Sequence, residues 1–195
     1  MAERAMRAFD VKGDLPGTML ATFDPVIQVE DLTEHEYFWL RRGRSWSVTV
    51  SQGAVAAQNA VVELQAATTA PDTVAIIDAL LVTNIDAALR TYRFGLGTKQ
   101  LVAVAQTPVA TDDRHLGQTS AYKAFAGNLV YAANNQAALI TPGTSTVLVR
   151  FTPQPYVLTG GPAGSSCFAV FMDDLNIALR TTIFFRERQI LAAER

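Results

Sequence analysis

The chain has 195 residues, enough for one large all-β domain. Its formal net charge of −2 gives no electrostatic footprint for nucleic acid or for an anionic membrane. Only 17% of the residues are charged, well below the roughly 25% of an average soluble protein. This shortage favours either an assembly whose surface is covered by neighbours or a large core with a Thr-rich solvent face.

The N-terminus lacks the apolar core of a signal peptide, and no apolar run approaches the roughly 20 residues that a membrane span needs. The single cysteine, Cys167, excludes an intramolecular disulfide framework. It lies in an apolar run, where a small buried thiol is expected rather than a nucleophile. We therefore expect synthesis in a cytosol, without membrane association.

Residues 1–44 have only a weak pattern and are punctuated by Gly and Pro. They predict an irregular N-terminal arm, which either stays disordered or orders against a neighbouring subunit. Residues 33–36 have the spacing of a capping box ahead of an aromatic run, which predicts a short helical turn.

From residue 45 onwards the chain alternates between apolar and polar residues. The first strand, residues 45–51, directs Trp46, Val48 and Val50 inward. Gly95 and Gly97 are predicted to end a strand, and residues 107–127 read as a long loop. Further strands are predicted at residues 60–67, 73–83, 89–94, 101–105, 129–132, 137–140, 146–151, 156–159, 167–172 and 176–190.

Turn signals recur every 8–12 residues between these strands, which is typical of a β-sandwich or a barrel. No internal repeat or composition shift divides residues 45–195. The sequence therefore predicts one β-sandwich domain over 45–195, preceded by the arm at 1–44.

No group of residues predicts catalysis, a cofactor or a metal. Asp112 and His115 share one loop, but adjacent loop residues seldom converge on an ion, so a solvated loop is expected. Asp173 and Asp174 are interpreted as turn residues rather than as calcium ligands.

Two charged groups are candidates for contacts between subunits. Arg41, Arg42 and Arg44 form the densest basic cluster. The last strand ends in Arg186, Glu187 and Arg188, which either pair with an adjacent chain or keep the final strand soluble.

The C-terminal third resembles the jelly-roll structural proteins of tailed-bacteriophage virions, which include capsid cement or decoration proteins and tail- or fibre-associated modules. In that family the final strand commonly ends in an aromatic-Arg-Glu-Arg tail, matched here by residues 185–188. The position usually filled by Trp is Phe185, so the match is partial. The resemblance extends over residues 60–190 and rests on residues 74–84, 87–95, 139–143, 146–151, 155–158, 167–172 and 177–188.

This resemblance implies a jelly-roll-like antiparallel β-sandwich in a non-enzymatic virion protein, made in the host cytoplasm. Its partners would be copies of itself and major capsid or tail proteins, without nucleic acid. The first alternative is a tail- or fibre-associated module that binds a host receptor or glycan through residues 107–127 and 160–164. The second is a β-sandwich enzyme that uses Asp112 and His115.

Overall fold

A computed structural model describes residues 2–5, 20–21, 45–66, 73–102, 104–110, 119–131, 137–152, 154–159 and 166–189. These residues form fourteen β-strands and no helix. In chain order the strands are β1 (Ala2–Ala5), β2 (Leu20–Ala21), β3 (Ser45–Gln52), β4 (Asn59–Ala66), β5 (Thr73–Thr83), β6 (Arg90–Thr98), β7 (Val104–Gln106), β8 (Val109–Ala110), β9 (Tyr122–Leu129), β10 (Ala137–Thr141), β11 (Thr146–Arg150), β12 (Tyr156–Thr159), β13 (Ser166–Met172) and β14 (Leu179–Gln189). No helix in this part of the chain is long and apolar enough to cross a membrane.

The chain divides into two compact units, residues 1–42 and residues 43–195. In the first unit β1 pairs antiparallel with β2, in the segment for which the sequence predicts an irregular arm. Backbone pairing does not require alternating side chains, so a weak sequence pattern does not exclude a short ladder. The capping-box segment 33–36 lies outside the described residues.

The second unit is an antiparallel β-sandwich, which confirms the predicted fold class. Its first sheet has the strand order β10-β6-β13-β4-β9-β7. Its second sheet has the order β11-β5-β14-β3-β8, and β12 also pairs with β5. Buried side chains from both sheets form one hydrophobic cluster, so the sheets face each other across a shared core.

Alternate side chains along the strands point into this core. Trp46, Val48 and Val50 are all buried in it, as the sequence predicts. One end of the core is aromatic: the ring centroids of Phe151 and Tyr156 are 5.0 Å apart, in an edge-to-face arrangement. Removal of apolar surface from water is the main term that holds the two sheets together.

The strand pairings are nested. β3 pairs with β14, β4 with β13, β5 with β12 and β11, and β6 with β10. The chain is thus a long hairpin whose second arm runs back along the first. Successive pairs of this hairpin fall alternately in the second and the first sheet.

Several local predictions are wrong, including the strand at 101–105, of which residues 101–102 lie outside any strand. β6 continues through Gly95 and Gly97, which pair with Ala169 and Cys167 of β13. The predicted loop at 107–127 contains β8 and most of β9, and β9 ends at Leu129, where a strand was predicted to begin. The inward positions of β9 include two alanines, which give a weak apolar signal, so its alternation is hard to recognise in the sequence.

Candidate functional site

The predicted contact triplet at the end of β14 is divided between the two faces of its sheet. Arg186 lies on the outer face and forms a two-pronged ion pair with Asp78 of β5, with both N–O distances 2.7 Å. Glu187 is buried on the inner face, where it accepts hydrogen bonds from the Ser120 hydroxyl and from the Ala121 amide at 3.1 Å. Arg188 is half-buried.

Glu187 therefore ties the second sheet to the segment that leads into β9 of the first sheet. This role lies within one chain. A contact between Arg186 or Arg188 and another subunit stays a prediction, and Arg41, Arg42 and Arg44 lie outside the described residues.

The other acidic candidates behave as turn residues where they are described. Asp173 forms a two-pronged ion pair with Arg93, at 2.8 and 2.9 Å, which raises the pKa of that arginine. Asp174 lies 3.1 Å from Arg90. Asn176 closes the turn with a left-handed φ of 64°, a conformation that Asn tolerates. The described residues contain no group of three or more metal-ligating side chains, and Asp112 and His115 lie outside them.

A buried polar cluster that sequence reasoning missed lies on the outer face of the first sheet. The Glu63 carboxylate is fully buried and accepts hydrogen bonds from Gln65 at 2.6 Å and from the Gln100 and Leu101 amides at 3.1 and 3.0 Å. Gln65 also donates to the Leu101 carbonyl at 2.8 Å. These bonds hold the segment 99–102 against the outer face of the first sheet. The available signal was a glutamate and a glutamine inside an otherwise apolar strand.

Cys167 lies in the apolar part of the same face, packed with Val61, Leu101, Tyr131, Ala169 and Phe171. Burial, assisted by the Glu63 charge, raises the pKa of its thiol to about 12. The thiol therefore stays protonated at neutral pH and is a poor nucleophile. The burial of Cys167 confirms the prediction of a buried thiol.

The clearest candidate site is a set of four loops at one end of the sandwich, which we call the loop end. It comprises residues 53–58, 84–89, 142–145 and 173–178, each joining two strands of opposite sheets. All four are described, and side chains connect neighbouring loops in a continuous row.

Asn84 holds two of these loops together. Its side-chain amide donates to the Ala88 carbonyl at 2.9 Å and to the Pro142 carbonyl at 2.9 Å. Its backbone amide donates to Ser145 at 2.8 Å. Gly143 completes the fit, because a Cβ there would lie only 2.0 Å from the Ala87 carbonyl oxygen. Only glycine is compatible with so close a backbone approach.

The remaining loops are joined in the same way. Arg90 lies 3.3 Å from Asp86 and 3.1 Å from Asp174, which bridges the loops 84–89 and 173–178. The Asn176 side chain accepts from the Ala57 amide, at 2.5 Å, and its backbone amide donates to Gln58 at 3.1 Å. Because hydrogen bonds link each loop to the next, the loop end is a preformed surface.

This surface exposes large aliphatic side chains. Leu89 is 63% exposed, and Val130, which follows β9 at the same end, is 74% exposed. Val55, Ile85 and Leu175 are also exposed. Its charged groups are mostly paired with one another, as described above. Isolated surface hydrophobics are ordinary, but several at one end make the loop end a candidate contact surface.

Comparisons with protein-family models, with curated proteins and with solved structures find no match to this chain.

Proposed function

We propose that this protein is a non-enzymatic structural component of a tailed-phage virion, a capsid cement or decoration protein that stabilises the particle through subunit contacts. Its partners would be copies of itself and the major capsid protein, and its location the virion. The observation that carries the proposal is the loop end, whose connected loops expose four aliphatic side chains, with Val130 exposed beside them. The phage assignment comes from the sequence resemblance, including residues 185–188.

The nested pairings support the jelly-roll part of this proposal. Eight strands suffice to describe a jelly roll, in which a long hairpin is wound so that its strand pairs alternate between two sheets. Here β3, β4, β5 and β6 form one arm, and β10, β11 with β12, β13 and β14 form the other. In this arrangement β7, β8 and β9 are additions at one side.

A preformed surface suits a protein whose work is to bury area against neighbours. Rigid loops lose little conformational entropy on binding, so more of the gain from apolar burial appears as affinity. Repetition over a particle lets modest contacts add through avidity. Neither effect needs an active site.

The alternative, a tail- or fibre-associated module that binds a host receptor or glycan, would use residues 107–127 and 160–164, of which residues 111–118 and 160–164 lie outside the described residues. Glycan sites usually present aromatic rings on which sugars stack. Residues 53–58, 84–89, 142–145 and 173–178 contain no Phe, Tyr or Trp. The exposed side chains are aliphatic, which favours a protein partner over a sugar.

Electron microscopy and mass spectrometry of purified particles from cells that produce this chain test the proposal. We expect the chain in stoichiometric amounts on the capsid, and rebinding of purified chain to particles stripped of it. A double variant, Ile85→Lys with Leu89→Lys, should abolish rebinding while keeping the native far-UV spectrum.

The matched control is Val102→Lys, which changes a side chain that is 85% exposed outside the loop end. We expect this variant to rebind like the native chain. Absence of the chain from particles would refute the proposal. Location on a tail tip, with binding to host cells, would favour the alternative.

A further inference from the structure

The two sides of the sandwich differ in how their sheet edges end. On one side the edge strands are β7 and β8, with three and two residues. On the other they are β10 and β11, with five residues each, joined directly by the turn 142–145. β12 follows β11 along the same side of β5. Very short edge strands resist pairing with other chains, whereas longer ones offer a row of unpaired backbone groups. Among the described residues no strand pairs with the outer edge of β10 or of β11.

β11 lacks most of the features that protect a sheet edge. Its sequence, Thr-Val-Leu-Val-Arg, contains no Pro or Lys, and its only charge is at its last residue, Arg150. Leu148 lies at its centre and is 45% exposed. Val147 and Val149 are half-buried, and Val149 packs against the main core. Exposed apolar residues on an unpaired edge mark a place where another strand can add.

The pattern of β11 is complementary to itself. We propose that a second copy of this chain pairs antiparallel with β11 about a twofold axis at Leu148. Leu148 then faces Leu148 of the partner subunit, Thr146 faces the partner's Arg150, and Val147 faces the partner's Val149. No like charges oppose each other in this register, and apolar side chains meet on both faces.

The contact would continue both faces of the second sheet. Within the chain, Leu148 lies opposite Leu81 of β5. On the outer face of the joined sheets, Leu81 and Leu148 of both copies would therefore form a continuous row across the twofold axis. On the inner face Val147 and Val149 lie beside Val82 and Leu80, which belong to the main core. An isologous contact of this kind closes as a dimer. The inference deepens the proposed function and rests on it for the expectation that copies of the chain associate.

Cysteine cross-linking tests the register directly. Residues opposed across an antiparallel pair have Cα atoms about 4.5–5.5 Å apart, within the range of a disulfide. We therefore expect Leu148→Cys to form an intermolecular disulfide in high yield under mild oxidation. Thr146→Cys should not link to itself, because the two copies of residue 146 would lie about 13 Å apart. The native Cys167 is buried, so the unmodified chain is the blank.

Sedimentation velocity of the isolated full chain supplies the second test. We expect a dimer whose dissociation constant rises about a hundredfold or more in Leu148→Lys, because two ammonium groups would meet at the axis. Val109→Lys is the matched control, since Val109 is 60% exposed on β8 at the opposite edge of the same sheet. It should leave the dimer intact.

A chain that stays monomeric at millimolar concentration overturns the inference, as does a dimer that persists in Leu148→Lys or fails to cross-link through Leu148→Cys. A trimer overturns it too, because twofold pairing cannot produce one. A monomer that still binds particles would leave the proposed function standing. A dimer that never binds particles would defeat the proposed function and leave the pairing intact.

Discussion

The outer faces of the two sheets contrast sharply. Residues 99–102 and 130–131 cover the outer face of the first sheet, which has a second hydrophobic cluster beneath them and the buried Glu63 beside it. β4 is consequently buried on both faces. The outer face of the second sheet carries hydroxyl and charged side chains, such as Thr49 and Thr182, whose hydroxyls are 2.9 Å apart.

The two sheets therefore differ in how much of their outer face the chain covers. Chain that passes over the first sheet buries apolar side chains of that face and so adds stability. The second sheet gains no such layer within the described residues, and its pairs on the outer face are solvated. We therefore expect substitutions on the first outer face to change stability and substitutions on the second to change it little.

A matched pair of phenylalanines gives the largest expected difference. Phe171 is buried on the outer face of the first sheet, where its ring centroid lies 4.6 Å from that of Tyr131. Phe171→Ala should lower the free energy of unfolding by about 3–4 kcal/mol, because it leaves a cavity. Phe184→Ala, on the half-buried outer face of the second sheet, should cost about 1 kcal/mol. Urea titrations measure both, and equal costs would mean that the two faces are equally covered.

The pH dependence of stability should reveal the same covered face. Burial raises the pKa of the Cys167 thiol from 9.0 to about 12. Because the folded-state pKa lies above the unfolded value, the thiol's contribution to the free energy of unfolding is complete below pH 9. It is lost as the pH rises towards 12. At pH 10 the loss is about 1.4 kcal/mol relative to neutral pH.

Cys167→Ala removes this contribution. The difference in unfolding free energy between native chain and variant should therefore shrink between pH 8 and pH 10. The packing effect of the substitution is the same at both pH values, so subtracting the difference measured at pH 8 removes it. Burial also raises the pKa of Tyr92 and Tyr122 to about 12. Both tyrosines are present in the native chain and in the variant, so the stability that they lose at high pH cancels in the difference. A constant difference would indicate a solvated thiol.

The smallest effect is expected at the ion pair of the second sheet. Arg186 and Asp78 are about a quarter exposed, so solvent screens their attraction. A double-mutant cycle with Arg186→Ala and Asp78→Ala should give a coupling energy of about 1 kcal/mol or less, weaker still in 1 M salt. A coupling several times larger, insensitive to salt, would place this pair in a covered environment like that of Glu63.

Much of the sandwich could be predicted from local pattern. Alternation gives β3, and β5 and β12 begin and end at the predicted residues. β9 was missed because Ala and Gly at several of its positions give little contrast between its faces. The pairing of strands far apart in sequence has no local signal, so the strand order and the open edge at β11 emerge only from the structure.

The candidate sites were harder to predict than the strands. The alternation that sets Phe185 inward also sets Glu187 inward, but nothing local indicates that Ser120 and Ala121 would meet it. The Glu63 cluster could not be predicted for the same reason. The backbone amides that bind its carboxylate come from residues 37 and 38 positions further along the chain. The loop end depends on four turns from distant parts of the chain, which only the nested pairing brings together.

That nesting also has a consequence for biosynthesis. Thr49 and Thr182 meet across β3 and β14 although they are 133 residues apart in the chain. β3 and β5 are both neighbours of β14, the last of the described strands in chain order. The centre of the second sheet therefore cannot close before β14 has been made, although β5 can pair with β11 and β12 earlier. Chains with so many distant pairings fold slowly, so we expect the sandwich to complete its folding only after β14 has been made.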